Sequence, residues 1–313
     1  MIVEDLVDRL RSHDIIIQPE EEKKAMDFIF KTNYYKLSIF TRYLGDDKSL
    51  DALIDLYKFD KFLSESLFTL IAPIEIYLKA SLANFLSTSY YEITKNDDSE
   101  IHPSLVYLDE TIYKSKKVEN KEVSRMLSGF AQMLDKKRGK DLTIDHHIRK
   151  YGGNIPIWVL VEHLTLGEFG VFLVKLDRPI LKKWTEENVQ TSWQKAVHEW
   201  INTVRILRNS SAHNNRFYGK FFTFSPIIPS EYDNIFDYGE ILEEKEKQSI
   251  KNTLFAGFII IKEFYKSLGN EDQQRWNEFL ETLGSKLLLN STLNIRSMKF
   301  PNNWYEVLVI NQG

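Results

Sequence analysis

The sequence predicts an all-α protein. Three observations carry that prediction. The 313 residues include only 13 Gly and 8 Pro, and regularly spaced turn dipeptides are few, which argues against a sandwich or barrel of short strands. Apolar side chains recur every three or four residues over long stretches, the period of a helix with one buried face. The hydrophobic content of 43% supplies one large core or two adjoining ones.

The elements follow in order. Pro19 and the acids after it open a helix over residues 20–44, with Ala25, Phe28 and Ile29 apolar, then Tyr34, Tyr35 and Leu37 after a short break. Asp46-Asp47-Lys48-Ser49 is a loop. Residues 50–90 are the strongest helical stretch of the first half, with Leu53, Leu56, Phe59, Leu63, Leu67 and Leu70 in one stripe. Pro73 lacks an amide donor and is expected to kink or interrupt it, so that a second helix runs through Ile74, Leu78, Leu82 and Phe85. Residues 94–103 are polar and read as a loop. A helix over 118–134 leads into the basic turn Lys136-Lys137-Arg138-Gly139-Lys140. Tyr151-Gly152-Gly153-Asn154-Ile155-Pro156 is a breaker, and 157–176 is apolar and partly amphipathic, with Gly167 and Gly170 inside it.

The most informative helix spans about 192–216. Ser192 is its expected N-cap. Trp193, Val197, Trp200, Val204 and Leu207 fall at helical steps and form one buried seam. The chain then loops through Pro226, Pro229 and Asp233, and two helices follow at about 243–267 and 271–289. Without repeats or a clean linker, residues 1–313 read as one helical unit with an excursion near 91–150.

Charge and composition narrow the class. Cysteine is absent, which excludes a disulfide framework and a zinc-thiolate site. Glu4 and Asp5 stand where a signal peptide carries Lys or Arg ahead of an apolar run. The longest apolar stretches, around 67–78 and 254–261, fall short of the roughly 20 residues a span requires, and Glu75 interrupts the first. The expectation is a cytoplasmic protein with no membrane partner. The net charge of -4 argues against general stickiness for nucleic acid. Residues 112–150 nevertheless hold eleven Lys or Arg against five Asp or Glu, an excess that matters if it flanks a phosphate-handling site.

A second stripe on the 192–216 helix carries the chemistry. Arg205, Asn209, Ala212, His213 and Arg216 lie off the buried seam, with Arg208 flanking them. At about 100° per residue Asn209 and His213 share a face, and Arg205 and Arg216 fall within about 20° of each other. No carboxylate interleaves, unlike an ordinary salt-bridged surface. Arg offers planar, bidentate donors to phosphate, and His titrates near neutral pH. Such a strip is able to cut RNA without metal: the ribose 2′-OH attacks, His213 moves a proton, Arg208 stabilises charge on the phosphoryl oxygens and Asn209 positions the imidazole or an RNA oxygen. One His serves one proton transfer, which points to a homodimer in which two strips face each other. The structural alternative is a polar helix end with a His at its C-terminus, where cations suit the dipole.

Other signals are weaker. His146-His147 lack further ligands at metal-binding spacing, and Glu162-His163 lacks the second His of a metalloprotease helix, so no metal and no cofactor are expected. Glu75 and Glu162 sit in apolar runs, where each reads as a buried partner for a core Lys or Arg.

Several motifs, in this order, resemble the Abi-like family of bacterial abortive-infection proteins (the AbiD/AbiF group). They are Leu10-Arg11-Ser12-His13, Asn33-Tyr34-Tyr35-Lys36-Leu37-Ser38, Tyr57-Lys58-Phe59-Asp60-Lys61-Phe62-Leu63 and Ile74-Glu75-Ile76-Tyr77-Leu78-Lys79. Pro156-Ile157-Trp158, with Glu162 to Gly167 behind it, Leu207-Arg208-Asn209-Ser210-Ser211-Ala212-His213 running on to Arg216, and Phe300-Pro301-Asn302-Asn303-Trp304 complete the set. A Gly usual near 13–14 is missing, and Lys79 replaces an Arg. The Arg208–His213 run is also similar to the Arg-x4-His signature of HEPN domains, helical bundles that often act as metal-independent ribonucleases and pair through this helix. The resemblance implies a HEPN-like bundle with additional N-terminal helices. It implies catalytic Arg208 and His213 with Asn209 in support, and a role in phage defence. Arg205, Arg216, Lys136, Lys137, Arg138 and Lys140 are then the expected RNA contacts, RNA and a second copy of the chain the expected partners. A non-catalytic RNA-binding module and a protein-interaction scaffold in a toxin–antitoxin-like system are the alternatives.

Overall fold

The computed structural model describes residues 3–94, 101–114, 117–189, 194–232, 235–239 and 250–311. Among the described residues there is no strand. Two isolated bridges, Ile16 with Ser49 and Tyr113 with Leu176, are the extended pairings. The fold is all-α.

The chain forms two compact units. The first comprises Met1–Leu70, Ile206–Lys262 and Gln273–Gly313, the second Ile71–Arg205 and Glu263–Asp272. The sequence offers no linker between them because the chain crosses four times inside helices. Those are α4 (Leu50–Thr88), α11 (Gln194–Ala212), α12 (Leu254–Tyr265) and α13 (Asn270–Leu289).

In the first unit, α1 (Val3–Arg11) precedes a 3-10 turn at Pro19–Glu21 and α2 (Glu22–Thr32). The helix expected over 20–44 is broken at Asn33, whose φ of 70° is left-handed. Its side chain caps α3 (Tyr34–Ser38) by accepting the Tyr35 amide at 3.0 Å. An aromatic cluster fills the core: Phe258 of α12 meets Trp276 at 5.8 Å, Phe279 at 5.5 Å and Phe300 at 5.4 Å. Such pairs add to the burial of their area. The C-terminal α14 (Trp304–Leu308) is tied in by Trp276 Nε1, which donates to Leu308 O at 2.9 Å.

The second unit contains α5 (Tyr90–Thr94), α6 (Lys117–Lys137), α7 (Leu142–Lys150), α8 (Ile157–His163), α9 (Leu166–Lys175) and α10 (Arg178–Asn188). The region near 91–150 contributes to its core. Val106, Tyr107, Ile112, Tyr113 and Phe130 are buried, and Tyr113 and Phe130 meet Phe172 of α9 at 6.3 and 6.0 Å. The apolar run 157–176 is two helices, not one. Thr165 and Glu168 form a capping box that ends α8 and starts α9, with Thr165 Oγ1 accepting the Glu168 amide and Glu168 Oε2 the Thr165 amide.

Helix α4 runs unbroken through Pro73, against the expectation of an interruption. Burial of Ile71 just before the proline and of Ile74, Leu78 and Leu82 beyond it outweighs the one lost backbone bond. By length and composition α4 would also suffice to cross a bilayer. Its Leu53, Leu56, Leu63, Leu67, Leu78 and Leu82 are buried by the protein itself, as in a core helix. Lys79, 5% exposed, pairs with Glu75 at 2.7 Å, the partner role expected of Glu75. Glu162 is exposed, so its expected buried pairing is corrected: it lies on the outer face of α8.

Candidate functional site

The seam of α11 is buried as its spacing predicts: Val197, Trp200, Val204 and Leu207 are each at most 1% exposed. Trp193 and Ser192 lie outside the described residues. A Cβ placed on Gly257 of α12 would stand 2.8 Å from Leu207 Cδ1, so this glycine sets how closely α12 packs on the end of α11.

Helix α11 stops at Ala212, four residues short of the expected end. The reason is local. Asn214 adopts φ 49°, the Asn215 amide donates to Ser210 O at 2.9 Å and the Asn214 amide to Ser211 O at 3.0 Å. This is a Schellman motif with Asn at the left-handed position usually held by Gly. His213 is therefore the C-cap, its amide still bonded to Asn209 O at 3.1 Å. Arg216 lies beyond the helix and does not continue the stripe.

Within the segment the exposures alternate. Ser210 and Ser211 are buried, Arg208 and Asn209 half-buried, Ala212 and His213 exposed. Ser211 Oγ donates back to Arg208 O at 2.8 Å, and Ser64 Oγ of α4 donates to Ser211 O at 3.2 Å. Among the described residues the His213 imidazole has no hydrogen-bond or ion-pair partner.

Helix α4 fixes the cap from below. Lys61 Nζ donates to Asn214 Oδ1 at 2.5 Å, and Lys36 Nζ of α3 to Asn214 O at 3.5 Å. Asp60, 8% exposed, accepts the Phe217 and Tyr218 amides on Oδ1 at 2.7 and 2.6 Å. Burial pushes the Asp60 carboxyl up to about 6, against the opposing pull of these amides, Arg216 and Lys220. Burial, with Arg216 nearby, lowers the Lys220 ammonium. The sequence assigned no site role to Asp60, Lys61 or Ser64, although Asp60 and Lys61 fall in the 57–63 motif. Asp60 and Ser64 stand four residues apart on α4 and Lys61 three before Ser64, but the long-range pairing with 211–218 was not legible.

Arg216 is drawn inward. Nη1 donates to Tyr43 Oη at 2.8 Å and to Tyr218 O, and the guanidinium lies 5.1 Å from the Tyr43 ring centroid. Tyr43 Oη in turn donates to Gly219 O at 2.8 Å. Arg216 thus organises the turn after the cap. Arg205 belongs to the second unit, half-buried, with Nε and Nη2 donating to Asn202 Oδ1 at 3.2 and 2.7 Å.

Also in the second unit are Lys136 and Lys137, in the last turn of α6, and Arg138 and Lys140, in the turn that follows; Lys137 is half-buried, the other three exposed. Gly139 turns there at φ 72° and donates to Asp145 Oδ1 at 2.8 Å. His146 and His147 pack on Tyr151 at 5.6 and 5.4 Å, and His147 Nδ1 lies 2.9 Å from Thr143 O. Among the described residues no three His, Asp or Glu side chains gather as a metal site.

The fold and site define an all-helical protein in which Asn209 and His213 project from the clamped C-terminal turn of one helix beside Arg208. A model of the Abi-like proteins matches residues 27–219, and the chain belongs to that family. Membership supports a part in abortive-infection phage defence. The matched span holds the 33–38, 57–63 and 207–216 motifs, which the first unit brings together around Asn214; the opening and closing motifs lie outside it. No curated protein and no solved structure matches the chain.

Proposed function

We propose that the protein is a phage-defence endoribonuclease of HEPN type, which cuts RNA by attack of a ribose 2′-OH on the adjacent phosphate. The carrying observation is the exposed His213 at a C-cap whose backbone is locked from Asn209, Ser210, Ser211 and, through Asn214, Lys61. A general base must be both accessible and held still.

The 2′-oxygen bonds to phosphorus as its proton passes to a base, and the P–O5′ bond breaks as the 5′-oxygen takes a proton. The products are a 2′,3′-cyclic phosphate and a 5′-hydroxyl. His213 performs one of these transfers. Arg208 stabilises the charge gathering on the non-bridging oxygens, and Asn209, one turn before His213, orients the imidazole or an RNA oxygen. The second transfer calls for another group, supplied in this reading by a second copy of the chain. Lys136, Lys137, Arg138 and Lys140, with Arg205, supply sequence-independent phosphate contacts.

The test is cleavage of a single-stranded RNA by the wild-type, His213→Ala and Arg208→Ala proteins, with end-group analysis of the products. His213→Ala should lose about 10²- to 10⁴-fold in rate, and a 2′-deoxy nucleotide at the scissile position should block cutting. Cleavage by His213→Ala at the wild-type rate sinks the assignment. RNA binding by the wild type without turnover selects the binding-module reading instead.

A further inference from the structure

A groove begins where the Arg208–His213 segment ends. Two adjoining cavities of about 280 and 750 Å³ lie in the first unit and share Tyr35, Lys36, Tyr57, Lys61 and Asn214 in their walls. The larger is of the size that holds small organic groups. Asn214, common to both linings, directly follows His213, so the groove reaches the residue next in sequence to the proposed catalytic one.

Its chemistry is specific. Tyr35 and Phe30 both line the larger cavity and are 70% and 81% exposed. Tyr35 is set in place by its amide bond to Asn33 Oδ1 and by an edge contact with Tyr34 at 5.6 Å. Lys31, Lys36 and Lys61 stand in the same wall. The one acid in either lining is Asp60, whose Oδ1 is committed to the Phe217 and Tyr218 amides. Of the three lysines Lys61 has a carboxylate neighbour, Glu65 at 3.9 Å, and among the described residues no ion pair engages Lys31 or Lys36. Exposed rings interleaved with such cations form a surface on which unpaired bases stack while their phosphates are neutralised. A duplex, its bases paired and stacked inward, cannot use the rings.

We propose that this groove is the single-strand subsite of the enzyme: Tyr35 and Phe30 stack successive bases, Lys31 and Lys36 hold their phosphates, and the strand is led to His213. This inference rests on the ribonuclease reading for its RNA ligand but on separate residues for its evidence.

The experiment uses the full-length His213→Ala protein, which binds without cutting, and a fluorescein-labelled mixed-sequence single-stranded RNA followed by anisotropy. Tyr35→Ala should weaken binding roughly tenfold and Tyr35→Trp should restore it. Lys31→Ala should reduce the slope of log affinity against log salt by about 0.7. A duplex of the same sequence should bind Tyr35→Ala and its parent alike. In the cleaving protein, Tyr35→Ala should raise KM with kcat little changed. Equal single-strand affinity of Tyr35→Ala and its parent, or a fall in kcat at constant KM, overturns the subsite and leaves the nuclease reading standing. If neither the parent binds single-stranded RNA nor the wild type cuts it, both readings fall. Tyr35 is exposed, so its substitutions should leave the helical circular dichroism spectrum unchanged.

Discussion

Asp60 and Tyr218, 158 positions apart, are joined by a hydrogen bond of 2.6 Å from the Tyr218 amide to a buried carboxylate. The same oxygen takes the Phe217 amide. One side chain of α4 therefore holds the segment that leaves the His213 cap, so loss of Asp60 should disturb the site without touching it.

Asp60→Ala strands two buried amides and should destabilise the protein by about 2–3 kcal/mol. Asp60→Asn keeps an acceptor and removes the charge. Because burial raises the folded carboxyl from 3.8 to about 6, the folded state holds a proton that the unfolded chain releases between those values. The stability this group contributes is full below 3.8 and is lost as pH rises through about 6. Chemical denaturation across that window should show the wild type losing stability relative to Asp60→Asn. Parallel curves for the two proteins would refute the linkage.

Asn214 sits at φ 49°, a conformation that costs a residue with a Cβ about 1–2 kcal/mol unless its side chain compensates. Asn214→Gly should fold about as well as wild type, since Gly suits the position, yet lose the Lys61 tether. Asn214→Val should lower the thermal midpoint clearly. RNA cleavage by Asn214→Gly then reports on how far Lys61 positions His213; a drop in rate at unchanged midpoint is expected.

Gly219 adopts φ 61° and packs under Tyr43, whose Cε1 would lie 2.2 Å from an added Cβ. Gly219→Ala should therefore be among the most damaging single substitutions in the first unit, at about 3 kcal/mol or more. Tyr43→Leu in the same chain should recover part of it by clearing the clash. No recovery would show that the backbone conformation, not the ring, sets the cost.

If two copies complete the proton transfers, cleavage per protein molecule should rise with concentration until the dimer saturates. Mixing wild type with excess His213→Ala should suppress the rate beyond simple dilution. Rate strictly proportional to wild-type concentration under both conditions would rule out a shared site.

Much of this was legible in the sequence, and the exceptions have physical causes. The α11 seam from Val197 to Leu207 and the α4 stripe from Leu53 to Leu70 follow from periodicity, because burial of one face is a local pattern. The end of α11 was placed at 216 because polar residues continue past Ala212. The left-handed turn at Asn214 is stabilised by Lys61 and Lys36, residues remote in sequence. Arg216 matched the stripe by spacing but is turned inward by Tyr43, again a long-range partner. The break between α8 and α9 did have a signal, Thr165 with Glu168, masked by the apolar residues around it. Helix α10 carries a similar signal in the Asp177 cap ahead of Pro179. Of the helix expected over about 243–267, residues 243–249 lie outside the described residues, 251–253 form a turn closed by the Thr253 amide on Ile250 O, and Leu254–Tyr265 is helical.

Because every crossing between the two units falls inside a helix, the chain is sensitive to length where many proteins are forgiving. One residue inserted after Leu70 or after Arg205 would advance the remainder of that helix by about 100°, throwing the buried face of one half out of phase with the other. Insertions and deletions should accumulate instead at turns such as 45–48 and 151–154, within a unit. Length variation among relatives would then map the loops and leave the unit boundaries untouched.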